Sequence, residues 1–101
     1  MDMVGILMHY AVITGSTKGI GKAIAEKFLR EGWFVFLNSA QDDMAAEKFR
    51  MDNANSRDNF MIIKQKISDF ESATKFAYQI LQHTNTIDCL VLNAGATDRS
   101  K

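Results

Sequence analysis

Short, continuously apolar runs alternate along this chain with stretches whose apolar residues recur every three or four positions. Tyr10-Ala11-Val12-Ile13 is apolar throughout and ends at Thr14-Gly15, which predicts a short strand buried on both faces. Ile20, Ala23, Ile24 and Phe28 recur at helical spacing. Gly32 is the natural stop for that helix, because glycine enters the left-handed conformation past a helix end at little cost. Trp33 to Leu37 predicts a second strand. Asp42 and Asp43 precede Met44-Ala45-Ala46-Glu47-Lys48-Phe49, a short helix with acids at its positive end. Asn53 to Asn59 is polar and turn-rich, and Phe60-Met61-Ile62-Ile63 is a third strand. Ser68-Asp69-Phe70-Glu71 predicts a capping box in which Ser68 and Glu71 satisfy free N–H groups. Phe70, Ala73, Ala77, Ile80 and Leu81 continue the helix it opens on one face, and Ile87 to Leu92 forms a fourth strand closed by Asn93-Ala94-Gly95.

The order is therefore β-α-β-α-β-α-β. Continuous apolar strands alternating with amphipathic helices imply an α/β fold whose parallel sheet is covered on both faces. Right-handed crossovers then build the N-terminal half of a doubly wound (Rossmann) sheet, truncated after the fourth strand. The chain has no proline, so its breaks fall on Gly, Asn, Asp and Ser. It shows no repeat, low-complexity tract or linker. Residues 1–7 fit the scheme poorly and are expected to be an extension, with Met8 an alternative start; residues 8–101 form the partial dinucleotide-binding domain.

Composition narrows the function classes. At 101 residues, 47% of them hydrophobic and 24% charged, the chain is long enough for one packed domain and not two. Twelve basic and twelve acidic residues balance, so no net field favours nucleic acid or anionic lipid. The uncharged run from Val4 to Thr17 is broken by Gly5, His9 and Gly15 and is too polar for a membrane span. The first residues lack the basic region and cleavage site of a signal peptide, so a cytoplasmic location is expected. Cys89 alone can form neither a disulfide nor a cysteine-based metal site, and reads as a core thiol. His9 and His83 read as lone surface histidines, and no metal site is expected.

The chemically informative segment is Thr14-Gly15-Ser16-Thr17-Lys18-Gly19-Ile20-Gly21, which joins the first strand to the first helix. A pyrophosphate needs exposed backbone N–H groups and a close approach, and glycine supplies both. Gly15 permits the tight turn, Gly19 the approach, and Gly21 close packing of helix on strand. The segment is a near miss for a P-loop: Gly21-Lys22 is present, but Ser16 stands at the first glycine position and Ala23 replaces the hydroxyl that would hold magnesium. The bland alternative, an ordinary glycine-rich turn, is disfavoured by the strand before and the helix after.

Thr14-Gly15-x-x-x-Gly19-x-Gly21 resembles the cofactor loop of the short-chain dehydrogenases/reductases, and Asn93-Ala94-Gly95 resembles their second signature, with Leu92 departing from the first position of N-N-A-G. The resemblance runs from about Met8 to the end. Within the family, Ile87-Asp88-x-Leu90-Val91-x-Asn93-Ala94-Gly95-Ala96-Thr97-Asp98-Arg99 is similar to the bacterial 3-oxoacyl-acyl-carrier-protein reductases of fatty acid biosynthesis. The resemblance implies that Gly15, Ser16, Thr17, Lys18, Gly19, Ile20 and Gly21 cradle a nicotinamide dinucleotide. It also implies that Asn93, Ala94 and Gly95 lie beside the dinucleotide, and that Thr14 ties the two turns together.

An acid at the end of the second strand would grip the ribose 2′-OH of NAD and repel the 2′-phosphate of NADP. Ser39 and Ala40 hold that place here, and Lys18 precedes the second glycine, where a cation can pair with the 2′-phosphate. NADP(H) is therefore expected over NAD(H), unless Asp42 or Asp43 swings back. Relatives place Asp or Asn after the third strand to meet adenine; Lys66 departs from that, which leaves the Ile67 backbone, and Asp69 is assigned to the helix cap.

The family's catalysis uses a Ser and a Y-x-x-x-K pair, the lysine and cofactor lowering the tyrosine pKa so that it protonates a substrate carbonyl. Tyr10 is followed four residues later by Thr14, and Tyr78 by Gln82, so neither makes the pair, and Tyr78 reads as a packing residue. No catalytic residue is assigned, and the chain alone is expected to be inactive. It is expected to be completed by a C-terminal half carrying catalysis and the parent's homo-oligomer interface. The alternatives are a non-catalytic dinucleotide-binding module and a truncated product without function. An uncovered fourth strand would be a hydrophobic edge, which predicts marginal stability or self-association.

Overall fold

A computed structural model of the chain describes residues 8–40 and 43–93. Its elements are β1 (Tyr10–Ile13), α1 (Gly19–Arg30), β2 (Phe34–Ser39), α2 (Asp43–Asp52), a 3-10 helix (Ala54–Asn59), β3 (Phe60–Lys64), α3 (Phe70–Leu81) and β4 (Cys89–Val91). The strands form one parallel sheet in the order β3-β2-β1-β4. After β2 and β3 have grown the sheet in one direction, the chain returns to place β4 on the other side of β1. That reversal opens a crevice beyond the carboxyl ends of β1 and β4, where open α/β sheets bind ligands.

Alternation along the strands divides the core into two layers. Ile13, Val35 and Leu37 face α1 and α2 and pack with Ala25, Leu29 and Phe49. Val12, Phe36 and Ile63 face α3 and pack with Phe76 and Ile80. Phe36 and Phe49 lie one on each side of the sheet, and each is fully buried. Such burial is worth about 1.5–3 kcal/mol per side chain. The fold is the doubly covered α/β sheet that the pattern predicts. Among the described residues, no helix is long and apolar enough to cross a membrane.

Several local expectations are corrected. The buried stripe of α1 is Gly21, Ala25 and Leu29, flanked by half-buried Ile24 and Phe28. Ile20, which is 74% exposed, and Ala23 turn outward. Gly21 must meet the loop closely, and that requirement rotates the helix by about one residue, or 100°. On α3, Phe76 and Ile80 face the sheet, while Phe70, Ala77, Tyr78 and Leu81 are exposed, so Tyr78 is not a core residue.

The cap of α3 is Asp69, not Ser68. Asp69 Oδ1 accepts from Ser72 N–H at 2.8 Å, and Ser72 Oγ accepts from Asp69 N–H at 3.0 Å. Ser72 therefore plays the part expected of Glu71. The segment read as turns winds into the 3-10 helix, and α2 runs on to Asp52. β2 starts one residue later than expected and extends to Ser39, while β4 keeps only three residues.

Cys89 is half-buried, because β4 pairs with β1 alone among the described strands. His9 and His83 are exposed, but neither is alone: His9 Nδ1 lies 3.7 Å from Asp88 Oδ2 and its ring lies tilted, 5.0 Å from that of Trp33, and the His83 ring lies 6.1 Å from that of Phe36. The proposed extension, residues 1–7, lies outside the described residues, as do Asp42, Ala94 and Gly95.

Candidate functional site

The segment between β1 and α1 reverses the chain with two residues in the left-handed region, Gly15 at φ 62° and Gly19 at φ 65°. Only glycine occupies that region without steric cost. Gly21 is needed for a different reason. A Cβ there would stand 2.3 Å from the Gly15 carbonyl oxygen and 2.8 Å from Asn93 Nδ2. The helix can therefore approach the loop only if position 21 has no side chain. Gly19, by contrast, has open space where a Cβ would be, which leaves the crest of the loop accessible.

The loop floor is anchored by its own hydroxyls. Ser16 is fully buried, and its Oγ donates to the Ile13 carbonyl at 2.6 Å. Thr17 is also buried, whereas Lys18, Gly19 and Ile20 are exposed at the crest. Lys18 is the N-cap of α1, and the first helical bond runs from Lys22 N–H to its carbonyl at 3.3 Å. The first N–H groups of a helix have no carbonyl of their own helix to meet, and they carry the positive end of its dipole. α1 has no acid in its first turn to offset that charge, and Lys27 and Arg30 suit its last turn.

The second turn is fastened to the first. Thr14 N–H donates to the Val91 carbonyl at 3.0 Å, and Thr14 Oγ1 accepts from Asn93 N–H at 2.8 Å. Asn93 Nδ2 donates to the Gly15 carbonyl at 3.1 Å. The expected tie through Thr14 is present, and Asn93 reaches the loop as well. Because every strand is parallel, the remaining predicted residues also come to the carboxyl edge of the sheet. Ser39, buried, ends β2 and is followed by exposed Ala40. Beyond β3, Gln65 N–H donates to the Ser39 carbonyl at 3.0 Å, Lys66 is exposed, and half-buried Ile67 packs on the α3 layer.

One residue of the site escaped the sequence reading. Asn38 is 3% exposed and accepts from Gly15 N–H through Oδ1 at 2.5 Å. The signal was an amide at the end of an otherwise apolar strand, where a buried polar group must find partners. Elsewhere, an open groove of about 430 Å³ is lined by Arg50, Met51, Arg57 and Phe60, away from the loop. Among the described residues, no group of three or more His, Cys, Asp or Glu could hold a metal ion.

The family model described as short chain dehydrogenase matches residues 9–101. The 3-oxoacyl-[acyl-carrier-protein] reductase FabG of Haemophilus influenzae is 38% identical over 87 residues, which make up 86% of this chain and 34% of the relative. The matched part of the chain spans about a third of the length of such curated relatives. Among solved structures, a Bacillus thuringiensis chain described provisionally as a 3-oxoacyl-reductase superposes with a TM-score of 0.83 at 28% identity, over 94% of this chain and 40% of its own. An alcohol dehydrogenase from the archaeon Thermococcus sibiricus, complexed with 5-hydroxy-NADP, gives a TM-score of 0.71 at 28% identity, over 83% of this chain and 36% of its own. With the family pattern spanning all but its first residues, this chain belongs to the short-chain dehydrogenase family.

Proposed function

We propose that the chain is the NADP(H)-binding part of a short-chain dehydrogenase whose parent enzyme is a carbonyl reductase of the 3-oxoacyl-acyl-carrier-protein type. The observation that carries this reading is the open glycine crest at the N-terminus of α1, whose first turn holds no acid, beside the β1–β4 switch point. The donor set suits a dinucleotide: backbone N–H groups at Gly19, Ile20 and Gly21 for the pyrophosphate, and Lys18 with Ser39 and Ala40 for the 2′-phosphate. Ser16 and Thr17 build the loop floor. The Ile67 backbone is assigned to adenine and Asn93 to the dinucleotide's side by β4, and by resemblance Ala94 and Gly95, outside the described residues, share the role of Asn93. When bound, the dinucleotide supplies a hydride; the residues of this chain bind and orient it. The likeness to the Haemophilus reductase supports the substrate class, and the neighbour complexed with 5-hydroxy-NADP supports the phosphorylated cofactor.

Neither tyrosine has a lysine four positions on, so the proton transfer is assigned to no residue of this chain. The chain alone is therefore inactive in NADPH oxidation. Its partner is a C-terminal half that covers β4 and brings the homo-oligomer interface, with self-association through β4 where that half is absent. The balanced charge gives no reason for nucleic acid or membrane partners, and the reaction is placed in the cytoplasm.

Comparing the dissociation constants of NADPH and NADH tests the cofactor assignment. NADPH is expected to bind about tenfold more tightly, a difference of ~1.4 kcal/mol, and Lys18→Ala should remove most of that preference. Equal affinities would overturn it. The alternatives, a non-catalytic module or a functionless product, are separated from this reading by the intact mass of the native gene product. A mass near 11.4 kDa would favour the alternatives. A mass more than twice as large would favour the reductase.

A further inference from the structure

Asn38 ends a run, Phe34-Val35-Phe36-Leu37, that is otherwise wholly apolar. At 3% exposure its amide has lost water on all sides. A buried primary amide costs about 1–3 kcal/mol when its groups go unmatched, so its partners are informative. Oδ1 accepts from Gly15 N–H at 2.5 Å, and Nδ2 donates to the Gln65 carbonyl at 3.1 Å. A donor on one side and an acceptor on the other fix which way the amide points.

The partner of Asn38 is the residue at which the loop turns. Two peptide planes meet at the Gly15 Cα, and each is held by one asparagine. Asn38 takes the N–H of the first, and Asn93 Nδ2 donates to the carbonyl of the second at 3.1 Å. Gly15 has φ 62°, a conformation with neighbouring wells open to glycine, so the two amides select one of them. Through Gln65 the same side chain also links the loop to the end of β3. Asn38 thus joins three adjacent strand ends at one point.

We propose that Asn38 is a positioning residue for the dinucleotide: it sets the glycine-rich loop in its binding geometry and couples that loop to the end of β3, without touching the cofactor itself. The proposal rests on the reading of the loop as a dinucleotide cradle. With Gly15 N–H already engaged by Asn38, the backbone donors offered to the phosphates lie further along, at the start of α1. A loop ordered in advance spares the ordering cost that binding would otherwise carry.

Two readouts on the full chain test this: NADPH affinity by fluorescence titration, and hydrogen exchange at the Gly15 amide by NMR. In Asn38→Ala, the Gly15 amide should lose its protection while those of Val35 and Leu37, in the sheet, keep theirs, and NADPH should bind about tenfold more weakly, ~1.4 kcal/mol. A general loss of structure would instead expose all three. Asn38→Asp keeps an acceptor for Gly15 N–H but loses the donor to Gln65, so Gly15 should stay protected. The proposal is overturned if Asn38→Ala leaves Gly15 exchange and NADPH affinity within twofold of wild type. If Asn38→Ala does not fold, an unprotected Gly15 in folded Asn38→Asp overturns it. Failure of the wild-type chain to bind NADPH would defeat the cradle reading, and the exchange data would still show whether Asn38 holds the loop.

Discussion

A methyl group at position 21 would collide with backbone, which cannot swing away, and with the Asn93 side chain as well. Its nearest neighbour would be the Gly15 carbonyl oxygen, at 2.3 Å. Gly21→Ala should therefore force α1 off the loop at a cost of about 1–3 kcal/mol, the range for overpacking a tight contact, and should lower the melting temperature and dinucleotide affinity together. Gly32 presents the opposite case: its φ is 88° and nothing lies within 4 Å of a Cβ built there. Gly32→Ala should cost only about 1 kcal/mol of backbone strain and leave affinity unchanged, and Gly32→Asn should cost less, since asparagine tolerates that region. Melting curves with NADPH titrations separate the two cases; equal effects on affinity would contradict this division of roles. The glycines were legible in the sequence because their spacing states a backbone requirement directly. Asn38 was not, because its role depends on Gly15 and Gln65, which are distant in sequence and converge only when three strands align.

Among the elements, the junction of α1 and α2 is electrostatic at its rim. Asp52 Oδ2 lies 2.6 Å from Lys22 Nζ on α1 and 3.1 Å from Lys48 Nζ on its own helix. The hydrogen bond from Lys22, then that from Lys48, holds the Asp52 carboxyl below the usual aspartate range. A depressed folded-state pKa stabilises the fold above the unfolded pKa of about 4, and this contribution is lost as pH falls through the folded value. The melting temperature of the wild type should thus exceed that of Asp52→Asn near pH 7, and the gap should begin to narrow below about pH 4 and close as the pH passes the folded value. A gap that does not narrow at all as the pH is taken down from about 4 would show that Asp52 acts through something other than its charge. The same method distinguishes the caps: Asp69→Ala should lower the melting temperature and Ser68→Ala should leave it unchanged, because Asp69 is the residue bonded to Ser72 N–H. The existence and order of the strands and α-helices were legible from the hydrophobic pattern, but the 3-10 helix was not. Nor were the buried faces of α1 and α3. Ile20 and Ala23 fit a helical stripe as well as Gly21 does, and only the loop contact turns glycine inward.

Among the described residues, the two edges of the sheet differ in character. The β3 edge carries Lys64 beside Asp43, whereas β4 presents Leu90 at 57% exposure on the face that α3 only partly covers. A hydrophobic edge of this kind invites strand addition, and a charge on it is the usual remedy. Leu90→Lys should shift the isolated chain toward monomer in sedimentation velocity without loss of NADPH binding. An unchanged distribution would place any self-association elsewhere. Sequence alone showed neither the brevity of β4 nor the half-burial of Cys89, since both depend on how many residues pair with β1 once the register is set. The central claim, that the crest between β1 and α1 is a dinucleotide cradle, is tested most directly by following backbone amide shifts of the labelled chain during titration with NADPH. The account predicts saturable shifts concentrated at Gly15 to Gly21, Ser39, Ala40 and Asn93. A folded chain with no saturable shifts, or with shifts gathered at the Arg50 and Arg57 groove, would contradict it.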